Sequence, residues 1–184
     1  MRQKLELGLP DKLALYHRGS TIEIVRTWFG TRVVMATVFA VFWDGFLLVW
    51  YVAAIGNKDT IAILFPLLHV VVGVGITYWA AAGWVNRTQI VVGIGKITVR
   101  HGPLPWAGNL ELQVGNVKQL YSNEKRSQSD GSTSTAYEVH AITQYGRTIK
   151  LVRGLETSQQ ALYIEQEIEK YLGIEDVPVK GEIG

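Results

Sequence analysis

The chain divides by pattern into an apolar centre and two polar flanks. From Val33 to Ile55, and again from Ile61 to Trp84, almost every position is apolar. Only Gly56-Asn57-Lys58-Asp59-Thr60 separates the two runs. A helix needs about 20 apolar residues to cross a bilayer. Each run therefore predicts a spanning helix, and the short connection makes the two an antiparallel pair. Pro66 predicts a bend in the second run, because it frees the carbonyl of Ala62. Ala36, Ala40, Gly45, Gly73 and Gly75 offer the small side chains that let two such helices approach closely.

The flanks alternate instead. After a patternless lead (1–11), Leu13 to Tyr16 and Thr21 to Trp28 predict an N-terminal β-hairpin spanning 12–30. Beyond the apolar centre (31–85), strands are predicted at 89–92, 96–100, 110–114, 117–124, 135–143 and 147–153. The polar tip KRSQSDGSTS has the composition of a mobile hairpin loop. A helix over 157–172 follows, opened by the capping pattern Thr157-x-x-Gln160 and closed at Gly173. Its apolar face is Ala161, Ile164, Ile168 and Leu172, and Glu165, Glu167 and Glu169 read as its solvated face. The tail, 175–184, is expected to be extended and loosely held.

These elements predict an α+β membrane protein. Its polar part is a pleckstrin-homology-like split β-barrel of about seven strands closed by the C-terminal helix. The antiparallel transmembrane hairpin is inserted between the N-terminal strands and the domain at 86–174.

Charge sets the orientation. Arg2, Lys4, Lys12, Arg18, Arg26 and Arg32 precede the first run, and Arg87, Lys96 and Arg100 follow the second, while Lys58 in the connection is balanced by Asp59. By the positive-inside rule both termini are cytoplasmic. Trp28, Phe29 and Trp84 mark the cytoplasmic interface, with Trp50 and Tyr51 nearer the opposite face. No cleaved signal or lipidation box is recognised. The formal net charge of +2 gives no reason to expect a nucleic-acid partner. Cysteine is absent, which excludes disulfides and thiolate metal sites.

Candidate chemistry is sparse. Asp44 and His69 are the ionisable residues inside the runs, about one turn apart in height once the hairpin is folded. An intramembrane polar group needs a partner. The pair therefore reads either as a hydrogen bond between the helices or as a proton relay, ion site or contact to a partner or pigment. Tyr78 and Trp79 lie too deep for an interfacial belt and are candidates to face a protein partner. Arg87, Lys96, Arg100 and His101 flank the membrane exit and could meet anionic headgroups. Trp106, in the loop Gly102-Pro103-Leu104-Pro105-Trp106, is a core plug or an exposed contact. No histidine has metal-ligand spacing, no serine or threonine has a matched base, and Gly73-Val74-Gly75 lacks the strand and phosphate-binding residues of a nucleotide loop. Neither catalytic residues nor a cofactor are expected.

Phe65-Pro66-Leu67-Leu68-His69, Asn86-Arg87-Thr88, Gly102-Pro103-Leu104-Pro105-Trp106, Gln119-Leu120-Tyr121 and Ala161-Leu162-Tyr163-Ile164-Glu165 together resemble a family of poorly characterised bacterial two-helix membrane proteins with a pleckstrin-homology-like domain. The resemblance spans most of the chain and implies an architecture, with no catalytic residue to carry over. It implies a bacterial inner or thylakoid membrane, and some cyanobacterial proteins of similar build look like photosystem assembly factors. The function expected is a membrane-anchored, non-enzymatic scaffold that binds another integral membrane protein. Two alternatives stay open: an anionic-lipid headgroup binder, and an oligomeric transport component using Asp44 and His69.

Overall fold

Period-two alternation builds the strands. In β2 (Thr21–Thr27) the side chains of Ile22, Ile24 and Arg26 are buried and those between them are less so. β2 pairs antiparallel with β1 (Leu13–Arg18) on one side and with β3 (Arg87–Val92) on the other. β4 (Lys96–Gly102) and β5 (Leu110–Gln113) complete a five-stranded sheet in the order β1-β2-β3-β4-β5. A second sheet holds β6 (Val117–Ser129), β7 (Ser132–Thr143) and β8 (Thr148–Leu155) in sequence order. The computed structural model describes residues 7–129 and 132–183. Among the described residues the fold is thus α+β, with eight strands in two sheets and neither sheet closed into a barrel.

The described residues form two units. The β-rich unit takes the chain up to Thr27, then Arg87–His101, then Pro105 onward. The helical unit takes Trp28–Asn86 and Gly102–Leu104. Because Thr27 pairs with Arg87, the chain leaves the sheet and re-enters it at the same end of two adjacent strands.

One core serves the β-rich unit. It joins Ile24, Ile90, Ile97 and Val99 of the larger sheet, Leu120, Val139 and Leu151 of the smaller one, and Ala161, Ile164 and Ile168 of the C-terminal helix α4 (Ser158–Leu172, numbered after the three helices of the other unit). Thr157 caps α4 by accepting from the Gln160 amide at 3.2 Å, and Gly173 ends it in the left-handed region.

Four expectations for this unit are corrected. The strand ladder runs out to Ser129 opposite Ser132, so most of the polar tip is paired strand; only 130–131 lie outside the described residues. Glu165 and Glu169 are buried, and Glu165 lies beside Asp176 and Glu182 of the tail. The tail is therefore held rather than loose: the Ile183 amide donates to the Ser122 carbonyl at 3.0 Å. The described part of the lead is held too, with Leu7 against the core and the Asp11 carbonyl accepting from Gln160 Nε2 at 2.9 Å. Residues 1–6 of that lead lie outside the described residues.

In the helical unit, α1 (Thr31–Gly56) is one continuous helix. The second apolar run is broken: α2 (Thr60–Leu64) stops before Pro66 and α3 (Leu67–Val85) resumes after it. Asp59 caps α2 by accepting from the Ile61 and Ala62 amides. α1 and the α2–α3 stretch are each long and apolar enough to cross a membrane. The buried positions of α1 are Val33, Ala40, Leu47 and Ala54, spaced by seven, and Pro66, Gly73 and Ala80 repeat that spacing opposite. A seven-residue repeat keeps one seam facing the partner helix.

Glycines make the seam close. A Cβ on Gly83 would lie 2.5 Å from Val33 Cγ2, and one on Gly73 would lie 2.7 Å from Asp44 Oδ1. Gly45 and Gly75, expected to join them, face open space instead. Thermal melts of the purified chain followed by circular dichroism test the seam. Gly83→Leu should cost about 1–3 kcal/mol, Val33→Ala in the same chain should restore part of it, and Gly75→Leu should change little. Equal damage from Gly75→Leu and Gly83→Leu would refute this seam.

Candidate functional site

The break at Phe65-Pro66 leaves backbone carbonyls without helical partners, and α1 supplies donors to that stretch. Trp50 Nε1 donates to the Ala62 carbonyl at 2.9 Å, and the Tyr51 hydroxyl to the Ile63 carbonyl at 3.2 Å. One turn further along α3, Trp43 Nε1 donates to the His69 carbonyl at 3.0 Å. Trp50 and Tyr51, expected as interfacial anchors, thus act as interhelical hydrogen-bond donors. Trp84 is likewise engaged, with its Nε1 on Thr37 Oγ1 at 2.8 Å and its ring 4.6 Å from that of Phe29.

Asp44 and His69 do not bond to each other. Thr77 Oγ1 donates to Asp44 Oδ2 at 2.6 Å. His69 stacks on Trp43 at 5.7 Å between ring centroids, and Phe65 is tilted against it at 6.1 Å. Its Nδ1 is buried without a hydrogen-bond partner. The helical turn explains the separation. Successive residues point about 100° apart, so Trp43 and Asp44 look to different sides of α1 and meet His69 and Thr77 respectively. The matching of heights along the hairpin was sound; the matching of azimuth was not.

Asp44 and Thr77 lie in an open groove of about 820 Å³ along one flank of the helix pair. Leu48, Tyr51, Val74 and Tyr78 are among its walls, so it is apolar apart from the carboxylate, the two hydroxyls of Thr77 and Tyr78, and that of Tyr51. Tyr78 and Trp79 are both exposed, and of the two Tyr78 lines the groove. Around the rest of the pair large apolar side chains also face outward, Phe42 at 75% and Leu68 at 71% of full exposure.

The basic quartet expected at the membrane exit is not one cluster. Lys96 stands at the β3–β4 turn and pairs with Glu111 at 3.2 Å. Arg100 and His101 are at the far end of β4, about 13–17 Å along the strand at 3.3 Å per residue. Arg87 and Arg100 are exposed. His101 is half-buried, its Nδ1 3.0 Å from Thr88 Oγ1. Burial and the nearby charges of Arg26 and Arg153 hold its pKa below the usual histidine value, against a hydrogen bond to the Gly108 backbone. Trp106 is half-buried. In the helical unit the Asn86 amide grips the same proline loop, donating to the Leu104 carbonyl at 3.0 Å and accepting from its amide at 2.7 Å.

A polar network that sequence reading missed lies across the smaller sheet. Tyr121, His140 and Lys150 are register partners on three adjacent strands. The Tyr121 hydroxyl is 3.0 Å from His140 Nδ1, His140 Nε2 is 2.9 Å from Glu138 Oε2, and Lys150 Nζ donates to that same oxygen at 2.8 Å. Glu138 is buried. Burial alone would raise its pKa, but the hydrogen bonds and positive charges of Lys150 and His140 outweigh it and hold the carboxyl below the usual range. The i, i+2 spacing of Glu138 and His140 was the visible signal; the strand register that adds Tyr121 and Lys150 was not.

No protein-family model matches the chain, and a search of curated proteins finds no match.

Glu138 ties stability to pH. Its folded-state pKa lies below the ordinary carboxylate value of 4.5, so its stabilisation is fully present above that value and is lost as pH falls through the folded pKa. Glu138→Gln should cost about 1–3 kcal/mol at neutral pH and weaken the acid limb of the stability profile. Chemical unfolding measured between neutral pH and the acid range checks both effects.

Proposed function

We propose that the chain is a membrane-anchored, non-enzymatic binding module. Its helical hairpin crosses the bilayer twice, its β-rich unit and both termini are cytoplasmic, and the flank carrying Asp44 receives another integral membrane protein. The observation that carries this reading is the hairpin's outward face. A helix pair that turns Phe42, Leu68 and their neighbours outward has a surface suited to lipid. On that surface one open groove carries a carboxylate, and an intramembrane carboxylate is costly unless it serves a contact. Two sheets, with α4 packed in the core they share, also support a pleckstrin-homology-like architecture for the β-rich unit. That architecture accords with a module that binds rather than catalyses.

The chain contains no cysteine, so single engineered thiols report topology cleanly. In intact cells Lys58→Cys should be labelled by an impermeant reagent from outside, and Ser134→Cys only after permeabilisation. Asp44→Leu should leave the chain in the membrane fraction but reduce recovery of its co-purified membrane protein at least tenfold in mild detergent. Labelling of both thiols from one side, or unchanged recovery with Asp44→Leu, would overturn the corresponding half of the proposal.

A further inference from the structure

β6 is the outer strand of its sheet: β7 pairs with one edge, and among the described residues the other edge is bridged by the chain's own C-terminal segment and by no named strand. That segment, 174–183, leaves α4 and folds along β6. Gln119 Nε2 donates to the Val177 carbonyl. A turn closed by the Glu182 amide on the Val179 carbonyl at 3.1 Å then reverses the chain, with Gly181 at the positive φ such a turn needs. Residues after the turn lie against β6 as a short antiparallel strand. Asn123 bridges Glu182, the Ile183 amide donates to the Ser122 carbonyl at 3.0 Å, and Asn123 Nδ2 donates to the Gly181 carbonyl at 3.0 Å. Ile183 also packs against the core.

The fit is incomplete. β6 is 13 residues long, and the segment forms a single bridge on it. In an antiparallel ladder alternate residues turn their N–H and C=O groups to the same side. Ser122 faces the segment, so Arg126 and Gln128 present backbone groups on that side where no described strand pairs with them. A longer extended chain would form more of the ladder than the tail does. The charges are complementary as well. Residues 174–183 carry Glu175, Asp176 and Glu182 against Lys180, while β6 carries Lys118, Lys125 and Arg126 against Glu124.

We propose that the outer edge of β6 is a docking site for an extended, acidic peptide of a partner protein with an aliphatic anchor in the place of Ile183, and that the C-terminal segment occupies this edge as a displaceable strand. Addition of a strand to a sheet edge derives affinity from main-chain hydrogen bonds and specificity from alternate side chains. The inference concerns the β-rich unit alone and stands or falls separately from the groove beside Asp44.

The test uses the full chain in detergent and a labelled synthetic peptide, EDVPVKGEI, equal to residues 175–183. Ile183→Asp should unseat the tail, so this variant should bind the peptide at least tenfold more tightly than the unaltered chain, and should not bind a scrambled peptide. Equal binding by the two chains, or none by the variant, overturns the proposal. Amide hydrogen exchange on the unaltered chain decides the matter if the variant fails to fold. The Ile183 amide should exchange at least 100-fold faster than that of Val139 in the sheet interior, and equal protection would make the tail a permanent strand. A concentration-dependent dimer of the unaltered chain that Ile183→Asp abolishes would assign the edge to a second copy and overturn the proposal.

Discussion

The pairing of β2 with β3 is the constraint on which the rest depends. These strands are neighbours in the sheet but lie on either side of the whole helical segment in sequence. With Thr27 opposite Arg87, the segment between them must start and finish at adjacent points. One long helix could not do this, because its ends are separated by its own length. Two antiparallel helices of equal length can. The seven-residue seam, the near-equal runs and the short capped connection at Asp59 all follow from that closure. The core of the β-rich unit then draws on strands from both sides of the insertion, Ile24 before it and Ile90 after it. The sheet is therefore incomplete until the chain beyond the hairpin has been made.

A second constraint operates inside the hairpin. Pro66 interrupts the helical hydrogen bonds in the middle of an apolar stretch, where an unsatisfied polar group costs several kcal/mol. The indole of Trp50 and the hydroxyl of Tyr51 answer this from the facing helix, and the Trp43 indole adds a bond to the His69 carbonyl. These aromatic residues combine an apolar body with one polar tip, which suits them to a site that is dry on one side and hydrogen-bonding on the other. Asp44 and Thr77 settle a similar need lower in the pair. The glycines then have a definite purpose. Gly73 admits Asp44 and Trp43, and Gly83 admits Val33. A larger residue at either place would push apart the helices whose contact satisfies the break.

Features set by local periodicity were legible in the sequence. The two apolar runs, the strand RTIKLVR, the bend at Pro66 and the Thr157 cap are statements about residues close in the chain. Features set by register or by azimuth were not. Tyr121, His140 and Lys150 meet because three strands align, and a shift of one residue would have turned them apart. Asp44 chose Thr77 over His69 because of direction around the helix rather than height along it. Glu165 and Glu169 looked solvated because a helical wheel records only the helix, whereas their burial is set by segments distant from the wheel. Asp176 and Glu182 of the tail bring carboxylate oxygens within 4.8 Å of Glu165, a proximity no local pattern contains. The groove beside Asp44 belongs to the same class: Asp44, Tyr51 and Tyr78 stood out singly, but the leucines and valines that join them in one wall were ordinary members of the apolar runs.

The tail on β6 admits two physical readings. An exposed edge strand invites aggregation, and a covering segment can serve only to blunt it. A pure guard is most effective when it pairs over the whole edge and does not open. The segment 174–183 differs on both counts. It bridges β6 once, near the middle of the strand, and leaves the basic outer half of that edge without a described partner. Its contacts with β6 include the side-chain amides of Gln119 and Asn123, a main-chain bond from Ile183 and the partly buried Ile183 side chain, whereas β6 and β7 share a ladder from Gln119 to Ser129. Local opening takes least free energy where buried apolar contacts are few, so the tail is the part of this sheet that opens first. A cover that opens before the sheet it covers exposes a preformed strand edge on an intact core, which is the state an incoming peptide needs.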